Sequence, residues 1–120
     1  ALETLRVIDE EGLLEQAEET GAFVMDRLHD MAAHHASIGD VRGRGLMLGV
    51  EFVLDRTTKE RAVALRNEIV QAAFRNGLLL LPCGANAIRL TPPLNIPLPL
   101  VEEGLALFEE ALTEAEARYL

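Results

Sequence analysis

Few of the 120 residues carry groups able to do chemistry. The most pointed is Arg89, within Asn86-Ala87-Ile88-Arg89-Leu90-Thr91-Pro92-Pro93-Leu94. This stretch reads as a short strand ended by two prolines, which lack the N–H that a ladder needs. Alternate strand residues face opposite ways, so Ile88 and Leu90 point to one side and Ala87, Arg89 and Thr91 to the other. The apolar pair seats the strand on a core and leaves Arg89 turned away from it. A planar fork of donors on a rigid element suits the two oxygens of a carboxylate. Two readings stay open at this level. Arg89 either binds a carboxylate, or is a surface arginine that is solvated or paired with an acid of its own domain.

The other candidates are weaker. Cys83 is the single cysteine, so no intrachain disulfide forms, and no histidine near it in sequence would activate a thiol. It reads as a small core or loop residue. His29, His34 and His35 lack an acidic or cysteine ligand pattern, and neighbours on a helix diverge by about 100°. His34 and His35 are expected to end a helix, where positive charge suits the carbonyl end. The glycines of Ile38-Gly39-Asp40-Val41-Arg42-Gly43-Arg44-Gly45 precede a strand. A phosphate loop needs lysine and serine or threonine after its glycines, and a dinucleotide loop needs a strand before and a helix after. A hairpin corner is the expectation instead. Lys59, the only lysine, sits in Thr57-Thr58-Lys59-Glu60, which has capping-box spacing with Thr57 as cap.

The elements that must position Arg89 follow from periodicity. Residues 1–9 form a helical lead-in interrupted at Glu10-Glu11-Gly12. Leu14, Ala17, Gly21, Val24, Leu28 and Met31 recur at steps of three or four, one stripe of a helix ending near His34. Gly21 in that stripe costs about 1 kcal/mol against alanine, which suggests a close backbone approach. Leu46 to Leu54 is a nearly continuous apolar strand. A helix with Ala62, Leu65, Ile69 and Ala73 inward follows Thr57 and stops at Gly77. Leu78 to Leu81 is a short strand closed by Pro82, and Cys83-Gly84-Ala85 turns the chain into the Arg89 strand. Pro97 and Pro99 open a last helix with Val101, Leu105, Phe108, Leu112 and Ala115 inward. The expectation is a two-layer α+β domain over residues 1–120, in the order αββαββα. A mainly antiparallel sheet of about four short strands carries helices on one face. Its other face carries Arg89.

Composition sets outer bounds. Hydrophobic content of 49% with 26% charged residues is ordinary for one globular domain. Eleven basic against twenty acidic residues give a formal charge of −9, which opposes nucleic acids and anionic membranes. No run of about eighteen apolar residues marks a membrane span, no signal segment opens the chain, and a cytoplasmic location is the expectation. Ala1 stands inside what already reads as helix, so a piece of a longer chain is expected.

Val41-Arg42-Gly43-Arg44-Gly45-Leu46-Met47-Leu48-Gly49-Val50-Glu51-Phe52 resembles the glycine-rich strand pair of the class III aminotransferases. Gly77 to Leu81 followed by Ala87 to Leu94 resembles their C-terminal signature, and Ala1 to Leu13 is similar to the helix that leaves their large domain. The resemblance spans essentially the whole chain. It implies the C-terminal small domain of a pyridoxal 5'-phosphate enzyme of the ornithine, acetylornithine and 4-aminobutyrate type, a homodimer passing an amino group to a 2-oxo acid such as 2-oxoglutarate. It further implies that Arg89 grips a substrate carboxylate beside the cofactor. The family's Schiff-base lysine, phosphate contacts and ring-facing acid belong to the large domain. Lys59 is a solvated loop residue and no substitute, so the chain alone is expected to be inactive and to bind no cofactor. Racemases share the scaffold and fit the same signature. Two rival classes remain: a stand-alone amino-acid-sensing domain of ferredoxin-like type, whose usual order of elements fits less well, and an assembly domain that docks a partner through its bare sheet face.

Overall fold

The computed structural model describes all of residues 1–120. Helices α1 (Leu2–Glu10) and α2 (Leu13–His34) lead into a hairpin of β1 (Ile38–Arg44) and β2 (Met47–Asp55). A two-residue strand β3 (Glu60–Arg61), helix α3 (Val63–Arg75), strands β4 (Leu81–Cys83) and β5 (Ala87–Leu90) and helix α4 (Leu98–Tyr119) complete the chain. Every strand pairing is antiparallel; the sheet runs β1-β2-β5-β4, with β3 beside β2. This is the expected α+β domain, with the short β3 added to the four anticipated strands.

The helices α2, α3 and α4 cover one face of the sheet. Leu48, Val50, Phe52 and Ile88 point into that layer and are almost wholly buried. They join a cluster that draws Val24, Leu28 and Met31 from α2, Leu65 and Ile69 from α3, and Val101, Leu105, Phe108 and Leu112 from α4. The Phe52 and Phe108 rings meet at 6.4 Å between centroids in a tilted pair. No helix is long and apolar enough to cross a membrane.

Local signals explain most boundaries. Gly77, at φ +91°, closes α3: its N–H bonds Phe74 O at 3.1 Å, and Leu78 N–H bonds Ala73 O at 2.8 Å. That is the paired bonding of a left-handed helix stop. Gly45, at φ +54°, turns the β1–β2 corner. An added Cβ on Gly21 would fall 2.1 Å from Gly45 O, so α2 lies directly against that corner, as the stripe glycine suggested.

Three expectations need correction. Thr57 caps no helix: Asp55 Oδ1 accepts the Thr57 and Thr58 N–H groups at 2.7 and 3.4 Å, and the chain turns there. Helix α3 starts at Val63, after Ala62, with no side-chain cap. The amides that a Thr57 cap would have held go elsewhere, Lys59 N–H to Asp55 O at 2.7 Å and Glu60 N–H to Thr58 Oγ1 at 3.4 Å, and Glu60 joined a strand. Leu78–Leu80 make no ladder; the paired strand is Leu81–Cys83 and includes Pro82, tolerated because β4 is an edge. At the start of α2 the inward residue is Leu13, while Leu14 is 69% exposed.

Candidate functional site

Alternation along β5 does what the sequence pattern required. Ile88 is fully buried against the helices, and Arg89 emerges on the opposite, uncovered face. The register places Gly49 of β2 on one side of Arg89 and Leu81 of β4 on the other. Beyond Gly49, the same row reaches Arg42 of β1. One row across the bare face thus reads Arg42, Gly49, Arg89, Leu81. The next reads Asp40, Glu51, Ala87, Cys83.

The two arginines differ in their partners. Arg42 is held by Asp40 at 3.1 Å and Glu51 at 3.2 Å. Arg89 has no carboxylate within ion-pair distance; its guanidinium reaches only Cys83 Sγ, at 3.5 Å. The reading of Arg89 as a partner of an acid in its own domain therefore finds no acid. A depression of about 270 Å³ opens between the arginines, with Met47, Gly49, Cys83 and Ala87 along it. A larger apolar crevice of about 320 Å³ lies on the other flank of Arg89, between Leu78–Leu81 and the first turns of α4.

The platform under Arg89 is fixed from below by residues that sequence reasoning missed. Arg66 of α3 is buried, and its Nη1 donates to Cys83 O, Gly84 O and Ala87 O at 3.3, 3.2 and 2.8 Å. Its Nε donates to Asn67 Oδ1 at 2.9 Å. Asn86 Nδ2 donates to Phe52 O at 2.7 Å, tying the same turn to β2. The β4–β5 turn is thereby pinned to a helix and to a central strand, which sets where β5 presents Arg89. Asn86 opens the stretch first singled out, but its clamp needs the tertiary fold to exist.

The remaining candidates lie elsewhere. Cys83 is half-buried at the sheet edge. Lys59 is exposed in the β2–β3 turn, with φ +59°. That turn lies past Asp55, six residues along β2 from Gly49, or about 20 Å of extended strand. His34 Nδ1 bonds Asp30 O at the end of α2. The His35 ring sits between carboxylates of α4, with Nδ1 2.5 Å from Glu116 Oε1 and Nε2 3.1 Å from Glu109 Oε2. Ser37 Oγ also donates to Glu116 Oε2, at 2.7 Å. This group latches α2 to α4, and no three His, Cys, Asp or Glu groups gather as a metal cluster.

Comparison with known proteins puts this geometry in a family. Residues 1–112 match Aminotransferase class-III. The chain is 41% identical to the leucine/methionine racemase of Thermococcus litoralis over 116 residues, 97% of this chain and 26% of the racemase. It is 44% identical to the 4-aminobutyrate aminotransferase of Mycobacterium tuberculosis over 107 residues, 88% of this chain and 24% of that enzyme. An aminotransferase structure from Bacillus anthracis superposes with a TM-score of 0.89 at 28% identity, covering 94% of this chain and 27% of that one. The chain thus spans about a quarter of the length of the relatives it matches.

Proposed function

From the premise that this chain belongs to the class III aminotransferase family, we propose that it is the C-terminal small domain of a pyridoxal 5'-phosphate-dependent transaminase and supplies the arm that holds the substrate carboxylate. The observation that carries the reading is Arg89: a guanidinium on a rigid strand of an uncovered sheet face, with no acid of its own chain bound to it. Two parallel N–H···O bonds from that fork would fix an amino acid's carboxylate and so aim its amino group, which lowers the barrier by positioning. The donor in this reading is 4-aminobutyrate or ornithine, and the acceptor a 2-oxo acid such as 2-oxoglutarate.

The residues present do not make a site for the cofactor. Lys59, the single lysine, is exposed in a remote turn, and no side chain near Arg89 offers an amine. The cofactor, which supplies the electron sink for such reactions, and its lysine belong in this reading to a large domain of the parent enzyme, a cytoplasmic homodimer. The short coverage of the relatives supports that division.

A second reading keeps the arm and changes the outcome. The 41% identity to a leucine/methionine racemase favours an enzyme that leaves the amino group on its carbon and returns the α-proton to the opposite face. Both readings are tested by R89A in the full polypeptide. Loss of a charge-assisted bidentate pair should lower kcat/KM for the carboxylate substrate by about tenfold to a hundredfold, chiefly through KM. An unchanged KM would refute the assignment. Product analysis then separates them: consumption of 2-oxoglutarate with an aldehyde formed from 4-aminobutyrate or ornithine marks transamination, and loss of optical purity in an α-amino acid with no acceptor consumed marks racemisation. Calorimetric titration of the 120-residue chain with 4-aminobutyrate and 2-oxoglutarate should show barely any binding; tight binding would favour a stand-alone sensing domain.

A further inference from the structure

We propose that Gly49 is a specificity-determining position: its missing side chain keeps the sheet floor beside Arg89 bare, so that the body of a slim carboxylate substrate can lie against β2. The inference rests on the reading of Arg89 as the carboxylate arm and adds to it which part of the substrate the sheet itself contacts.

The glycines of the hairpin differ in what they answer to. Gly39 and Gly43 have no room for a Cβ, which would fall 2.7 Å from Val53 Cγ1 and 2.5 Å from Leu48 Cδ2. Gly45 needs its positive φ for the corner. Gly49 has neither reason. Its φ is not positive, and nothing lies within 4 Å of where its Cβ would be. Yet it occupies the middle of a central strand, paired with Arg42 on one side and Arg89 on the other, where glycine weakens the strand and gives the sheet nothing to pack. A glycine that the chain itself does not require marks a close approach from outside.

What approaches is set by the walls. On one side Arg42 is already neutralised by Asp40 and Glu51. On the other, Arg89 is unpaired by acid, so an anionic end is drawn to that side. Facing residues of an antiparallel pair have Cβ atoms about 5 Å apart, so a branched side chain at 49 would stand beside the Arg89 stem and narrow the depression. A ligand anchored at Arg89 has to pass over that spot.

The test compares G49A and G49V with R89A in the full polypeptide, using whichever of 4-aminobutyrate, ornithine and leucine it converts fastest. G49V should raise KM for that substrate about tenfold or more, with most of the loss in KM, while its denaturation midpoint stays level or rises because valine favours strands. G49A should follow the same direction by a smaller factor, and it decides the matter if G49V fails to fold. An unchanged KM in G49A and G49V would overturn the proposal. So would an equal loss of kcat on a primary amine lacking a carboxylate, because that would mean the bare floor receives another domain. The R89A arm is separate: if it leaves KM unchanged while G49V raises it, the arm reading fails and the floor contact stands.

Discussion

At the scale of single residues, the site depends on one guanidinium left unpaired and another fully used. Arg89 was legible because strand alternation settles its direction from four or five neighbouring letters. Arg66 was not legible. Between Leu65 and Asn67 it looks like any arginine on an amphipathic helix, and its partners lie 17 to 21 residues ahead. Its burial makes it costly to lose. R66M would strand three carbonyls that now share one donor, at a cost of about 1–3 kcal/mol, and would loosen the turn that aims β5. The expected outcome is a lower urea midpoint together with faster amide exchange at Gly84–Ala87, with partial recovery in R66K. Unchanged exchange there would show that Asn86 suffices to hold the turn. His35 was legible only as a helix end; its link to Glu116 spans 81 residues and has no local trace.

At the scale of elements, periodicity located all four helices and the long hairpin, but competition among short-range partners decided the edges. Thr57 had the spacing of a cap, yet the Asp55 carbonyl took the Lys59 amide and Thr58 Oγ1 the Glu60 amide. The leucine run at 78–81 has strand composition, but pairing begins only where β5 lies alongside, at Leu81. Gly21 was read correctly, as a point of contact. G21A tests it: alanine gains about 1 kcal/mol in helix propensity, but the new methyl meets backbone at Gly45, which cannot swing aside. The clash should win, for a net loss of about 1–3 kcal/mol in urea unfolding. A stabilised G21A would mean that α2 can shift away from the corner.

The α3–α4 contact carries a pH signature. Glu68 accepts Arg75 at 3.0 Å and Arg118 at 3.4 Å, and Arg75 also reaches Glu114 at 3.2 Å. The hydrogen bond from Arg75, helped by the charge of Arg118 and opposed by partial desolvation, holds the Glu68 carboxyl below its ordinary 4.5. A depressed folded-state value stabilises the fold above the unfolded pKa, and that contribution is lost as pH falls through the folded value. Stability from this group is therefore complete at neutral pH and begins to fall away below about pH 4.5. E68Q should lower the urea midpoint at neutral pH, and by a smaller margin at acid pH below that value. A gap of equal size at both would show that the network adds nothing pH-dependent.

At the scale of the molecule, the chain is a layered α+β unit with one finished face and one bare one. The finished face holds the core; the bare face holds Arg89, Gly49 and the paired Arg42, arranged by register alone. Fold class was legible from periodicity and element order, and the family from three motifs in order, because glycines and prolines that serve backbone geometry leave a strong mark. The amino donor was not, since the letters around Arg89 fit a carboxylate without saying what the rest of its bearer looks like. The most direct test is a crystal structure of the full polypeptide with its carboxylate substrate bound. Arg89 as the carboxylate arm requires both carboxylate oxygens within about 2.7–2.9 Å of its guanidinium nitrogens, with the substrate body over Gly49. A carboxylate held by other residues, with Arg89 turned to an acid or to solvent, would contradict it.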